Sequence, residues 1–490
     1  MEKEEKGITV KKADDFSEWY SQLIQKAQLA DVRFGIQGFI VHRPWGFKII
    51  KKIYEYLEEE VENQEHDPML FPIAVKEESL MKEKEHAGFS PEVFWVTHAG
   101  SKKLEERFAL RPTGETQIYP VYSLWFRSHK DLPFKAYQSR HTVFRNEMTT
   151  RPFLRGREFA FFETHNVYNT HKEALDQIKL DLKTCDEVIR KKAKIPFLYF
   201  KRPAWDKFKG ADNTFTPDTI MPDGKRNQLA STHDLGTNFA EAYDIRVTDE
   251  KEKKKYVWQT CFGPGVWRIM AAIIAIHGDD KGLIVPFDMA PKQVVIIPII
   301  FKNKTAKEVM NYIKIIEKKI AKADFKVIVD SSDNKPGFKF NHWELFGVPL
   351  RIEVGPKEVA DKKVTIARRT DGNKTTVKAT DIIKEIKKQA KELDSQIWKN
   401  AQKNFDHNTR DAKTLDDVKK IMKTHRGFIR IPFCSVDKDG EECAEILKAE
   451  TQGGNICGTL YPKPEQVSKN DKCAVCKKQA KEIVYVAKSY

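Results

Sequence analysis

Two groups of residues carry most of the chemistry that this sequence offers. The first lies between Thr142 and His165, TVFRNEMTTRPFLRGREFAFFETH, where Arg145, Arg151, Arg155 and Arg157 stand in a turn between two aromatic-rich runs. Guanidinium groups stay charged and present a planar fork of donors that matches phosphate or carboxylate oxygens, so four on one turn repel each other until an anion arrives. Glu147, Glu158 and Glu163 lie among them and can pair with an arginine or orient an amine. From this stretch alone, an anion site and a basic surface hairpin laced with salt bridges account for the pattern equally well. The second group is cysteine: Cys434-x8-Cys443, then 29 residues, then Cys473-x2-Cys476. Two such pairs suggest a closed tetrahedral zinc site, with the C-x2-C half the sharper signal and Cys457 the odd cysteine. Zinc with no open coordination position is structural, and here it is expected to hold a small segment that lacks its own core.

Bulk properties say what these groups can serve. A chain of 490 residues exceeds one hydrophobic core, so two to four domains are expected. A formal net charge of +15 points to an anionic partner, and nucleic acid suits it best. Hydrophobic content of 40% with 30 Phe and 9 Trp is enough for packed cores and argues against general disorder. The most apolar runs, Ile269–Ile276 and Val294–Phe301, are broken by His277 and Lys302, too short to cross a bilayer. The charged start, MEKEEKGITVKKADD, has no apolar secretory core, so a soluble cytosolic protein without a disulfide framework is expected.

The elements that must position these residues follow from periodicity and caps. The runs TVF and EFAFFE alternate as half-buried strands of a hairpin. Asp14 or Asp15 can cap a helix from Phe16, and FKIIKKIYEYLEEEVENQ is a longer amphipathic helix. MLFPIAV is expected as a short buried strand interrupted by Pro72, which lacks a donor and belongs at an edge, a strand end or an interface. RFALRPTGETQIYPVYSLWFR reads as strand, turn and helix, with Thr113 and Glu115 at the helix start in a near relative of a capping box. YVWQTCFGPGVWR is a strand entering a Gly-rich turn before the apolar helix IMAAIIAIHG. Lys281–Pro291 looks like a linker, after which strands and helices alternate as in a compact α/β domain, and a basic, cysteine-bearing segment follows from about Asn404.

In this order the motifs resemble those of class II aminoacyl-tRNA synthetases. FRNE with RGREF resembles the second family signature, CFGPGVWRIMAAIIAIHGDD with GLIVPF the third, and MLFPIAV the first. RPTGET, FRNE, PFLRGREF, STHDLGTNF and VADKKVTIARRTDG together resemble the prolyl-tRNA synthetases of archaeal and eukaryotic cytoplasmic type, from about Phe16 to Tyr490. The hundred or so residues between Glu163 and the Gly-rich turn leave no room for the editing insertion of bacterial-type relatives. Pro264 stands between Gly263 and Gly265, and Phe161 stands where eukaryotic relatives more often have Trp.

The resemblance implies an α+β catalytic domain with an antiparallel sheet over 1–285, an α/β anticodon-binding domain over 286–400 and a zinc-binding α/β domain over 401–490. It implies activation of L-proline with ATP and Mg2+, and transfer to tRNA(Pro). Arg145, Arg268 and Glu115 take the catalytic positions; Thr113, Glu115, Arg145, Phe161, His165, Phe208 and His233 meet the amino acid. Arg145, Glu147, Arg155, Arg157, Phe159, Gln228, Ser231, Gln259 and Arg268 meet ATP, with Phe159 as the stacking surface for adenine and Glu147 a suggested Mg2+ ligand. Cys261 matches a small-residue position in the pocket. Arg351, Glu353, Lys357, Arg368 and Arg369 lie in the anticodon domain, where guanidinium and carboxylate together can read guanine edges. Cys434, Cys443, Cys473 and Cys476 match zinc ligands. Relatives of this type are homodimers that place the Pro72 strand at the interface and direct a C-terminal tyrosine to the catalytic domain. Two other readings predict different residues: a non-catalytic paralogue would lack Arg145, Glu115 or Arg268, and a threonine-type synthetase would carry zinc ligands in its pocket.

Overall fold

The computed structural model describes residues 7–87, 92–300 and 305–490; Phe301 and Lys302, at the end of the second apolar run, and the first six residues of the charged start lie outside them. A twelve-stranded sheet organises most of the molecule. Its middle runs Asn213–Ile220, Ala230–Gly236, Trp258–Pro264, Glu158–Tyr168, Phe134–Phe144, each antiparallel to the next. The hairpin strands of eleven residues each are longer than TVF and EFAFFE alone imply. Alternation divides the side chains between two faces. Phe162 and Phe262 point to a core shared with the helices Pro44–Glu62 and Val266–Ala272, while Phe159, Phe161, Glu163, Cys261 and His233 point to the other side. The helix Val266–Ala272 buries every residue but Arg268, which is why its sequence shows no polar stripe.

The second sheet orders Val327–Val329, Val294–Pro298, Leu350–Val354, Lys363–Arg368 and Lys374–Lys378, parallel among the first three and antiparallel beyond. Val294, Ile296, Ile352, Val364 and Ile366 form its covered face against the helices Ala306–Lys322 and Ile382–His407. The last of these helices runs on past residue 400 and buries Phe405 beside Phe428.

Three sequence expectations need correction. Lys281–Pro291 is no exposed linker: Leu283 and Val285 join the core beneath the large sheet, Ile284 and Phe287 join the core of the second sheet, and the connection is a buried seam. MLFPIAV is not one buried strand. Of it, only Ala74 and Val75 belong to a strand (Ala74–Lys76), and Leu70 is 79% exposed; Met69 N closes the ladder of Asp67–Pro68 on Tyr137 O, Phe71 N turns to the Gln138 side chain, and Pro72 has no N–H to carry pairing across. The C-terminal segment does have a core, formed by Val418, Ile429, Ile431, Phe433, Leu447, Val484 and Val486. Its strand Gly454–Leu460 pairs with Leu198–Lys201, so its strands are continuous with the large sheet.

Candidate active site

The open face of the catalytic sheet floors a cavity of about 400 Å³. At one end, the strand Lys102–Leu110 turns into the helix Glu115–Trp125 and presents Thr113 and Glu115, whose hydroxyl and carboxylate are hydrogen-bonded to each other. Gly114 permits this closeness, since a Cβ there would lie 2.3 Å from a Glu163 carboxylate oxygen. Glu115 also accepts from the Cys261 thiol at 3.3 Å, and burial pushes that thiol well above its ordinary range, so it is no nucleophile. Phe161, Phe208 and His233 complete this lobe. His233 is held between Thr214 Oγ1 and Ser231 Oγ, both at 3.0 Å, under the Phe208 ring at 4.6 Å. Burial lowers it to about 3, so it stays neutral.

Glu163 forms the floor and is 1% exposed. It accepts from Gln138 at 2.8 Å and meets Nε2 of His141 at 3.1 Å and of His165 at 2.9 Å. Burial alone would raise its pKa, but the His165 charge and the two imidazole hydrogen bonds hold it well below the usual carboxylate range.

At the other end stand Arg145, Arg155 and Arg268 with Glu147, Phe159, Gln228 and Ser231. Arg145 donates to Pro112 O at 3.3 Å, with its guanidinium 6.0 Å from the Phe159 ring centre. Arg155 pairs with Glu147 at 3.0 Å, and Arg268 donates to Gln228 O at 3.3 Å. Burial first, then the Arg155 and Arg145 charges, lower Arg268 to about 10, the mark of a cationic site short of anions.

Three of the expected contacts are not brought to the cavity. His165 shares the face of Phe161 and Glu163 but lies one step further along, where the helix Glu115–Trp125 covers the sheet; Tyr119 hydroxyl meets its Nδ1 at 3.0 Å and Tyr122 bonds its carbonyl. Gln259 is fully buried at the far end of its strand, opposite Val167. Arg157 turns outward, with its backbone N–H on Gly38 O and its Nε on Glu147 O at 3.0 Å. Arg151, which the sequence left level with its neighbours, packs on Tyr20 at 4.9 Å instead. Other lining residues had no motif to mark them: Thr214 and Thr216 were readable only by strand alternation, and Arg202 and Arg226 only from the junction with the C-terminal segment.

Family models match three stretches: the tRNA synthetase class II core domain (G, H, P, S and T) at residues 94–277, an anticodon binding domain at 293–389, and the prolyl-tRNA synthetase C-terminal domain at 415–490. The proline–tRNA ligase of Thermofilum pendens is 48% identical, over 99% of this chain and 100% of that protein. The chain belongs to the proline–tRNA ligase family. The enzyme of Thermococcus kodakarensis is 40% identical over 98% of both chains. Among solved structures, Giardia lamblia prolyl-tRNA synthetase in complex with prolyl-adenylate superimposes with a TM-score of 0.94 at 33% identity, over 99% of this chain and 100% of that one. The Cryptosporidium parvum enzyme complexed with L-proline and AMP gives 0.92 at 32% identity, over 99% and 97%. The chain is thus a class II aminoacyl-tRNA synthetase of the proline–tRNA ligase family, with the fold class that its motifs implied.

Outside the cavity, the proline–tRNA ligase framework sorts the anticodon-domain residues by strand parity. Arg351 and Glu353 lie on the sheet face opposite the core, joined at 3.2 Å, with the Arg351 guanidinium 4.0 Å from the Phe340 ring centre and Lys374 2.7 Å from Glu353. Arg368 shares the parity of Val364 and Ile366, so it faces the helix Ile382–His407 and bonds Gln389, Glu392 and Asp371. Arg369 leaves the strand end and clasps Asp279 of the catalytic part at 2.9 Å. Its side chain is 2% exposed, so the anticodon role expected for Arg368 and Arg369 gives way to packing. Lys357 starts a short helix beyond the strand end.

Two clusters have metal-like geometry among the described residues. The sulfurs of Cys434, Cys443, Cys473 and Cys476 lie within 4.8 Å of one another, against S···S edges of about 3.8 Å for a tetrahedron with Zn–S about 2.3 Å. Cys457 is buried elsewhere, beside Phe200 and Tyr485. Glu115, His165 and Cys261 also come together, but both His165 nitrogens are engaged, by Tyr119 and Glu163, which leaves no lone pair for a metal. Tyr490 docks on the catalytic part: its hydroxyl donates to Asp223 at 2.6 Å and its backbone oxygen accepts from Arg155.

Proposed function

We propose that the chain activates L-proline with ATP and esterifies it to tRNA(Pro). The observation that carries this is the two-ended cavity, with an acceptor pair and an aromatic box at one end and a guanidinium cluster at the other. Thr113 and Glu115 accept the two N–H bonds of the proline secondary ammonium, and Phe161, Phe208 and His233 enclose its ring. Arg145, between the lobes, holds the proline carboxylate and the α-phosphate. A carboxylate oxygen attacks the α-phosphorus in line, the bond to the β-phosphate breaks, and pyrophosphate leaves toward Arg155 and Arg268. Catalysis is positioning and charge neutralisation, and no protein nucleophile takes part. In the second step a hydroxyl of the tRNA terminal ribose attacks the activated carbonyl, and AMP leaves. Adenine stacks on Phe159, and Gln228 and Ser231 meet the nucleoside.

Glu147 is the carboxylate that would hold Mg2+ at that end, where the ion would supply charge neutralisation. Zn2+ suits the four-sulfur cluster, where it is structural. The open face with Phe340, Arg351, Glu353 and Lys374 is the candidate anticodon surface. Exposed Leu70, Ile73 and Leu124 around Pro72 support a homodimer through that segment. No helix among the described residues is long and apolar enough to cross a membrane, in keeping with a cytoplasmic place of work. The test is ATP–pyrophosphate exchange with each of the twenty amino acids: exchange with proline is expected, and exchange with none, or only with another amino acid, overturns the reading.

A further inference from the structure

Arg202 is a buried arginine at the seam between the catalytic sheet and the C-terminal segment, with its side chain 2% exposed. Its Nη1 donates to Cys457 O at 2.8 Å. Its Nη2 donates to both oxygens of Asp218, at 2.8 and 3.1 Å, and to Oε1 of Gln228 at 3.1 Å. The Cys457 carbonyl is available because the strand pairing shifts between Ile456 and Gly458, which takes residue 457 out of the ladder. Gly458 makes the bulge possible: its φ is +126°, and a Cβ there would lie 2.0 Å from Lys201 O.

A guanidinium has donors and no acceptor, so it takes the oxygen end of the Gln228 amide. The Nε2 end is then left to the cavity, which Gln228 lines. We propose that Arg202 is a positioning residue for nucleotide recognition, anchored by Asp218 and by the Cys457 carbonyl of the C-terminal segment, and that it locks Gln228 with its amide nitrogen toward the nucleoside. Gln228 thereby selects a hydrogen-bond acceptor on the base or ribose, and the C-terminal segment becomes part of the nucleotide site. The lock rests on the reading that Gln228 meets the nucleoside of ATP.

The experiment is proline-dependent ATP–pyrophosphate exchange with the full chain. Arg202→Lys keeps a charge against Asp218 but cannot span three acceptors. It is expected to raise KM for ATP about five- to tenfold, the worth of one misplaced hydrogen bond, with kcat and KM for proline within about twofold. Gln228→Ala is expected to give the same rise, and the double variant no further rise, because both changes remove one interaction. A rise from Arg202→Lys that persists in the Gln228→Ala background, or that appears equally in kcat and KM for proline, makes Arg202 merely structural and overturns the lock. Gln228→Ala with unchanged KM for ATP sinks the nucleoside reading, and the lock with it. A rise for Gln228→Ala alone, with none for Arg202→Lys, overturns the lock and leaves that reading standing. If Arg202→Lys does not fold, a crystal structure of the full chain with a non-hydrolysable ATP analogue decides: Gln228 held by Arg202 with its other amide end on an acceptor of the nucleoside is expected, and Gln228 turned away from Arg202 or from the nucleoside overturns the lock.

Discussion

Arg145, Arg155 and Arg268 line one open cavity, where Arg155 meets Glu147 and the Tyr490 backbone oxygen, whereas Arg351, Arg368 and Arg369 meet Glu344, Glu353, Asp371, Glu392 and Asp279 away from it. In sequence the two sets look alike, as pairs or clusters of arginine beside apolar strand residues. The difference lies in who supplies the oxygen. A guanidinium fork buried against the fold's own carboxylates is a packing device, and one that lines an open cavity can take a ligand. Arg351 sits between the two cases, because its partner Glu353 shares an open sheet face with it.

The comparison breaks most sharply at Arg268 and Arg369. Arg268→Ala should lower kcat/KM for ATP in exchange by about 10²–10³, the usual cost of removing a preorganised charge in a site of this kind. Arg369→Ala should leave exchange within a few-fold and lower the thermal midpoint by a few degrees, from the loss of about 1–2 kcal/mol of partly exposed pairing with Asp279. Equal losses of exchange in both variants would erase the distinction.

The thiol cluster is the inverse case, four potential anions that the fold gathers around a place for a cation. Cys473→Ser should abolish stoichiometric zinc by elemental analysis and lower the thermal midpoint; because the segment has its own hydrophobic core, partial rather than complete unfolding is expected. Full zinc retention would remove Cys473 from the ligand set.

Within the anticodon domain the contrast sharpens again. Arg351→Ala should raise KM for tRNA about tenfold in aminoacylation, and Arg368→Ala should act on thermal stability with KM for tRNA nearly unchanged. The reverse pattern would mean that the covered face, not the open one, meets RNA.

The smallest effect concerns a carboxyl that behaves in the opposite way to Glu163. Asp181 lies beneath the cavity floor, accepting from Thr232 at 2.6 Å, and burial raises it to about 7. A folded pKa above the unfolded value means that the native state holds a proton which the unfolded state has lost. Its contribution is therefore full below about pH 4 and falls as pH rises through 7. Asp181→Asn should flatten the decline of the thermal midpoint between those limits; an unchanged slope would show that Asp181 does not titrate there.

Much of this was legible before any coordinates. The hairpin, the Gly-rich turn into an apolar helix, and the RPTGET turn are local patterns of alternation, caps and glycines, and they carry Thr113, Glu115, Arg145, Phe161 and Arg268 with them. What periodicity cannot give is which neighbour covers a face. His165 and Gln259 have the parity of cavity residues and are covered by elements remote in sequence. The segment Lys281–Pro291 has linker-like Gly and Pro but belongs to two cores at once.

The hairpin arginines show the division most plainly. By itself the sequence determined that four permanent charges share one turn, since guanidinium cannot be neutralised by losing a proton. Tertiary structure decided their work: Arg151 turned to Tyr20, Arg157 to the Glu147 carbonyl, and Arg145 and Arg155 to the cavity. The physical reason is that a long side chain with several rotatable bonds reaches in several directions from one backbone position, and only the packed surroundings select one.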